Sequence, residues 1–241
     1  MSDVGDGIDS LRAGWSFGGE TANTFDKHVS KSVPLYHLGQ KLVCDISDYF
    51  IKDDGSVCYD IGSSTGELTL KLAKHHHDIK NTIKFVGIDT EPKMIEVAEK
   101  KQLDLNLNNV SFLYDDVMNF NFENTNFISS YYTVQFIKPS ERQRLINNIF
   151  QSLNWGGGFL MFEKVRAPDA RFQDMMVGLY DEHKLEAGYS PEEIFGKTRS
   201  LRGVLEPFST QGNLDMLKRA GFKDVLIVMK YISFEGYLAI K

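Results

Sequence analysis

The chain has 241 residues, 42% of them hydrophobic and 25% charged, with a net charge of −6. A core can form at this length without disulfide or metal staples, and the composition excludes a disordered protein. The acidic balance speaks against direct nucleic-acid binding, no apolar run reaches membrane-span length, and residues 1–14 lack signal-peptide order.

These features predict a cytoplasmic, single-domain protein: a flexible tail over 1–14, a helical lid over 15–52, a central sheet, and a cap insertion over 165–212. Phe25, Val29, Val33 and Tyr36 recur at near-helical spacing, interrupted at Pro34. A second helix over 37–50 places Leu38, Leu42, Ile46 and Phe50 four residues apart, and Asp53-Asp54-Gly55 then marks a turn. From there strands and helices alternate. Strands are expected over 57–61, 83–88, 110–114, 127–134 and 159–162, and helices over 67–74, 91–102 and 139–153, the last stopped by Gly156-Gly157-Gly158. Such alternation implies βαβ units and a parallel sheet. Residues 171–186 read as a helix, 191–212 as mixed, and 213–220 as a helix closed by Gly221. The runs 225–232 and 233–240 have no helix between them, so they must pair antiparallel. The fold class is therefore α/β: a mostly parallel, Rossmann-like seven-stranded sheet ending in an antiparallel hairpin. By analogy this is the class I S-adenosylmethionine (SAM) methyltransferase fold.

Between the first strand and its helix stands Asp60-Ile61-Gly62-Ser63-Ser64-Thr65-Gly66. Glycine there permits a sharp turn and lets a ligand approach the main chain. Asp89 ends the second strand, where a carboxylate can accept from both ribose hydroxyls of a nucleoside. Asp116 and Val117 follow the third strand, placed to read an adenine edge. A nicotinamide dehydrogenase would need glycine where Ser64 stands, because its pyrophosphate passes there. SAM fits this spacing better.

Smaller signals point less sharply. Cys44 and Cys58 read as core residues, with no disulfide framework. His75-His76-His77 suggests metal, yet adjacent helical side chains diverge, so a solvated helix end is expected and no metal site is assigned. His28 and His183 stand in segments that border the pocket. Trp15, Phe17, Phe25 and Tyr36 are candidates to cover the cofactor, and Lys164, Arg166 and Arg171 to attract an anion.

The segments Phe25-Asp26-Lys27-His28-Val29, Ser32-Val33-Pro34-Leu35-Tyr36, Thr133-Val134-Gln135-Phe136, Pro139-Ser140-Glu141-Arg142 and Gly188-Tyr189-Ser190 resemble the carboxy-S-adenosyl-L-methionine synthase family, and the likeness runs from about residue 15 to the end. The resemblance implies a homodimer whose cofactor is SAM or its carboxylated derivative. It implies cofactor contacts at Tyr36, Gly62, Ser63, Ser64, Asp89, Thr90, Asp116, Val117 and Tyr131. In that family prephenate supplies a carboxyl group to the SAM methyl carbon, in the service of tRNA wobble-uridine modification, and an arginine clamps the new carboxylate. Here that position is Thr198, with Arg199 next to it and Arg202 three residues further on. Arg199, Arg202, Tyr36 and His183 are the substrate-site candidates. Because the clamp is displaced, the leading expectation is a SAM-dependent methyltransferase acting on a small-molecule acceptor. A carboxy-SAM synthase and a non-catalytic SAM-binding subunit are the alternatives.

Overall fold

In the computed structural model, which describes residues 2–3, 9–10, 21–52, 55–77 and 83–241, every inward position of the first sheet strand is apolar or hydrogen-bonded. That strand, β1 (Val57–Ile61), is buried along its whole length. β2 (Lys84–Asp89), β3 (Val110–Tyr114), β4 (Thr125–Tyr131) and β5 (Leu153–Lys164) follow in parallel, and β6 (Asp224–Tyr231) and β7 (Phe234–Ile240) close the sheet. The spatial order is β3-β2-β1-β4-β5-β7-β6, with β7 antiparallel to both neighbours. A near-continuous apolar strand of this kind needs cover on both faces. One face is covered by α2 (Tyr36–Ser47), α3 (Glu67–His75) and α4 (Pro92–Leu105), through Val43, Leu68, Leu72, Ile95 and Ala98 against Phe85, Phe112 and Phe127. The other is covered by α5 (Pro139–Ser152) and α8 (Thr210–Ala220), through Leu145, Ile149, Met216 and Leu217 against Ile61, Ile128 and Phe159.

Strand order reverses between β1 and β4, which opens a crevice at their carboxyl ends. Two further pieces border it. α1 (Thr21–Ser32) precedes α2, and α6 (Ala170–Glu186) with α7 (Pro191–Ser200) lies between β5 and α8. α7 starts on a full capping box, in which Ser190 and Glu193 satisfy each other's backbone N–H groups. A two-residue antiparallel ladder joins Ser2–Asp3 to Asp9–Ser10. Among the described residues no helix is long and apolar enough to cross a membrane.

The expected elements are present with three corrections. Gly156-Gly157-Gly158 does not stop α5; it lies inside β5, which starts at Leu153. A Cβ at Gly158 would press 2.9 Å from the Phe50 ring, so glycine makes room for a side chain packed across the strand. β4 ends at Tyr131 rather than 134, because Tyr132 turns to φ 63° and a 3-10 turn spans Val134–Phe136. His75 to His77 do not form a uniformly solvated helix end, since His76 is 5% exposed and bonded to Ser47 Oγ at 2.7 Å.

Candidate functional site

A cavity of about 930 Å³ occupies the crevice. One wall is the loop after β1. The N–H groups of Gly62 and Ser63 donate to Ile88 O at 2.8 and 3.0 Å, which ties the loop to β2. Gly62 sits at φ 67°, and a Cβ there would collide with the Thr133 side chain. Ser64 also holds a positive φ, 51°, with its N–H donating to Asp89 Oδ2 at 2.8 Å. Asp89 Oδ1 accepts from Glu91 N at 2.9 Å. Thr90 N–H also bonds this carboxylate, which lines the cavity and can accept further from a ligand hydroxyl there. Burial raises the Asp89 pKa, opposed by those backbone bonds.

Thr90, Asp116 and Val117 line the same side, and Asp116 Oδ1 accepts from Met118 N at 2.9 Å, fixing the turn after β3. Beneath the loop, Asp60 is buried and accepts from Thr69 Oγ1 at 2.7 Å and Ser129 Oγ at 2.9 Å. Burial lifts its pKa to about 6 despite these bonds. Tyr36 and Tyr131 meet edge-on, with ring centres 5.2 Å apart, and Tyr131 donates its hydroxyl to Tyr36 O. A Cβ on Gly39 would strike that hydroxyl, so this glycine lets α2 close over Tyr131. Three cavity residues hold buried polar atoms with no partner among the described residues: Ser63 Oγ, Glu67 Oε2 and Tyr132 Oη. Orphaned acceptors and hydroxyls of this kind suit a polar ligand with an amino-acid end.

The opposite end of the cavity is cationic. Lys164 Nζ stands 4.2 Å from the Tyr180 ring centre and 5.7 Å from that of Phe234. Burial, with a contribution from Lys184, pushes its pKa down to about 8. Lys184 Nζ is 4.4 Å from the Tyr180 ring and pairs with Asp181 at 2.8 Å. Lys197 reaches from α7 to α1, 2.6 Å from both His28 Nε2 and Ser32 Oγ. Ring contacts Tyr36–Tyr131, Tyr131–Tyr132, Tyr132–Phe234 and Phe234–Tyr180 run between the two ends.

All nine expected cofactor contacts line this cavity, together with Phe25, His28, Lys164, Arg166 and Arg202. Arg199 does not line it. α7 runs unbroken to Ser200, so Thr198 faces the cavity and the Arg199 guanidinium lies outside, 5.7 Å from the Phe195 ring centre. A one-residue step on a helix turns the side chain by about 100°. His183 is also outside, stacked on Tyr180. Arg171 is not a lining residue, and Trp15 and Phe17 fall outside the described residues. Thr133 and Glu67, in the turn after β4 and at the start of α3, were not read as site residues, and Lys184, Lys197 and Tyr180 were not legible because their convergence depends on the packing of α1, α6 and α7.

Residues 58–157 match a family model described as a methyltransferase domain. The chain is 39% identical over 228 residues to the carboxy-S-adenosyl-L-methionine synthase of Staphylococcus epidermidis, covering 94% of this chain and 97% of that one. It is 35% identical to the same-named protein of Nautilia profundicola, over 94% of each. The chain belongs to the carboxy-S-adenosyl-L-methionine synthase family. Its fold is that of the class I SAM methyltransferases; human N-acetylserotonin methyltransferase superposes with a TM-score of 0.59 at 15% identity, over 92% of this chain and 55% of that one. As a member of this synthase family and fold it is a SAM-dependent transferase, with SAM or its carboxylated derivative as cofactor.

One buried acid next to the site gives a pH signature to this synthase-family member. Glu163, at the end of β5, accepts from Val134 N at 3.0 Å, and burial lifts its pKa to about 8, moderated by Arg142. The folded form keeps this proton up to about pH 8, whereas the unfolded chain loses it near 4.5. The folded state thus binds more protons across that interval, and its stability falls as pH rises through it. Glu163→Gln is expected to lose less stability between pH 6.5 and 9, by about 2 kcal/mol or more. Denaturant melts of both proteins at the two pH values check this. The matching fall from Asp60, whose raised pKa is about 6, is largely complete below that range.

Proposed function

We propose that this chain is a carboxy-S-adenosyl-L-methionine synthase acting on SAM and prephenate, as a cytoplasmic homodimer. Asp89 receives the ribose hydroxyls, and Asp116 with Val117 and Thr90 hold the adenine. Gly62, Ser63 and Ser64 border the amino-acid end, where Ser63 Oγ and Glu67 Oε2 acquire partners. Tyr36 and Tyr131 present aromatic rings near the sulfonium, whose positive charge their faces favour. Bound SAM supplies an acidified methyl group: one methyl proton gives way to a carboxyl group from prephenate, and that proton leaves with the prephenate hydroxyl as water, giving phenylpyruvate.

The observation that carries this reading is the pair Lys164 and Lys184 on the Tyr180 ring, with Lys197 lining the same cavity through its bond to Ser32, whose carbonyl accepts from the Tyr180 hydroxyl. Prephenate is a dianion, and ammonium groups in a half-enclosed site bind carboxylates through charge-assisted hydrogen bonds. They also offer a cationic surface for the new carboxylate where the family's arginine is Thr198. A dimer is supported by the stripe of Phe172, Met175 and Leu179 exposed along α6, which is apolar and outward-facing. Methyl transfer to a small-molecule acceptor remains the second reading, favoured by the outward position of Arg199.

Mass spectrometry of the ligand released from denatured, freshly purified protein separates the two. The expected result is a sulfonium heavier than SAM by one carboxyl group, with its formation from added SAM dependent on prephenate. SAM or S-adenosylhomocysteine alone, with labelled methyl groups reaching an acceptor, would establish methyl transfer instead. Binding without turnover of either kind would leave a SAM-binding subunit.

A further inference from the structure

Two helices that frame the cavity end together far from it. Asp48 is the C-cap of α2, His75 is the last residue of α3, and His76 is its C-cap. Neighbouring histidines inside a helix would diverge by about 100°. Here the helix stops between them: His76 adopts φ −98° and ψ 25°, which brings both imidazoles to one carboxylate. His75 Nε2 is 2.9 Å from Asp48 Oδ1, and His76 Nε2 is 3.9 Å from the same oxygen. Ligand atoms of all three lie within 4.8 Å of one another.

The cluster is held on one side and open on the other. The His76 ring is 5% exposed and stacks on Phe85, with centres 6.0 Å apart and planes 19° apart. It meets the His75 ring edge-on at 5.0 Å. Asp48 is more than half exposed, leaving solvent access to its second oxygen. None of the three lines the cavity, so the SAM-family chemistry does not account for them.

We infer that Asp48, His75 and His76 form a zinc site that clamps the end of α2 to the end of α3. Two imidazoles and a carboxylate are a usual zinc donor set. A tetrahedral ion with bonds of about 2.0–2.1 Å sets its ligand atoms about 3.3 Å apart, between the two spacings seen at Asp48 Oδ1. Sub-ångström side-chain shifts bring both to that value. The fourth position faces solvent beside Asp48. In the absence of metal the same groups hold together by hydrogen bonds, Ser47 Oγ included. The ion replaces the proton between His75 Nε2 and Asp48 Oδ1 and takes His76 Nε2 from its hydrogen bond with Ser47 Oγ. Tyr36 and Gln40, at the other end of α2, line the cavity, so the clamp steadies a cavity wall without touching the ligand.

The test uses the full chain without a histidine tag, stripped with EDTA and titrated with zinc chloride by calorimetry and by thermal melting. The expected result is one zinc per chain with a dissociation constant at or below about 1 µM. The melting midpoint should rise by about 5 °C at a free zinc concentration a hundred times that constant. His75→Ala and Asp48→Asn are exposed changes that leave the core intact, and each should weaken binding by about tenfold or more. His77→Ala, whose Nδ1 sits on Lys74 O, should bind zinc as the parent does. No stoichiometric uptake by the folded chain would overturn the assignment. So would undiminished binding in both ligand variants, or loss of binding in His77→Ala alone.

Discussion

Lys164→Met is expected to lower kcat/KM for prephenate about 100-fold or more, while the dissociation constant for SAM stays within about threefold. In the proposed reaction a dianion enters a space walled by three lysines, and Lys164 is the one whose ammonium has ring faces rather than a salt-bridge or hydrogen-bond partner beside it among the described residues. Lys184 already has Asp181, and Lys197 is hydrogen-bonded to His28 and Ser32. An ammonium that is not already paired with a carboxylate gives its full charge to a substrate carboxylate. Removing one partner of such a desolvated pair costs about 2–5 kcal/mol, and 1.4 kcal/mol is a factor of ten. Methionine keeps the length and the contact with Tyr180, so packing is largely preserved. SAM, at the other end of the ring contacts, loses nothing. The pH profile adds a reading that a packing role does not give. With its pKa pushed down to about 8, Lys164 loses its proton as pH rises through that value, so kcat/KM for prephenate should bend downward near pH 8 in the parent. The bend should be absent in the variant. Equal loss of SAM affinity, or an unchanged profile, would remove Lys164 from this role.

The two halves of the cavity were unequally legible in the sequence. The half proposed to face the cofactor is made of strand ends and the turns after them, so Gly62, Asp89 and Asp116 could be placed from the alternation of apolar runs and helices. A parallel sheet forces those ends onto one edge whatever the side chains beyond it do. The cationic half has no such rule. Lys164, Lys184 and Lys197 sit on β5, α6 and α7, and only the packing of α6 and α7 against α1 brings them together. Arg199 shows the same limit at the scale of one residue: its side depends on α7 remaining a regular helix through Ser200. Glycine misled in one place. Gly156 to Gly158 carry the local signal of a helix stop, yet backbone bonds of Gly156 and Gly157 with Lys241, and at Gly158 the pairing with β4 and the Phe50 ring, decide their conformation. His76 misled in another, since a helix's last turn obeys helical spacing only while it stays helical.

The cofactor half makes a sharper demand, and Gly62→Ala is expected to abolish measurable SAM binding and to destabilise the fold by about 3–5 kcal/mol. Two effects add. A residue other than glycine at φ 67° costs about 1–2 kcal/mol through the crowding of Cβ with its own carbonyl. The new methyl also meets Thr133, striking Oγ1 and Cγ2 and lying 2.8 Å from Cβ, an atom fixed to the backbone. Thr133 cannot swing away freely, because its hydroxyl donates to Ile61 O at 3.0 Å and its backbone begins the turn after β4. The loop itself must therefore shift, which pulls Ser63 N and Ser64 N from Ile88 O and Asp89 Oδ2. Calorimetric titration with SAM and chemical denaturation measure the two losses. Gly55→Ala isolates the conformational part: Gly55 has φ 73° but no atom of the described residues within 4 Å of the place a methyl would take, so only the smaller cost is expected there. Thr133→Gly combined with Gly62→Ala isolates the steric part. Residues that share a clash do not contribute additively, and the double variant should recover much of the stability lost by Gly62→Ala. A double variant no more stable than the sum of its parts would show that Gly62 matters for its backbone angle alone, and that Thr133 is not what sets the shape of the loop.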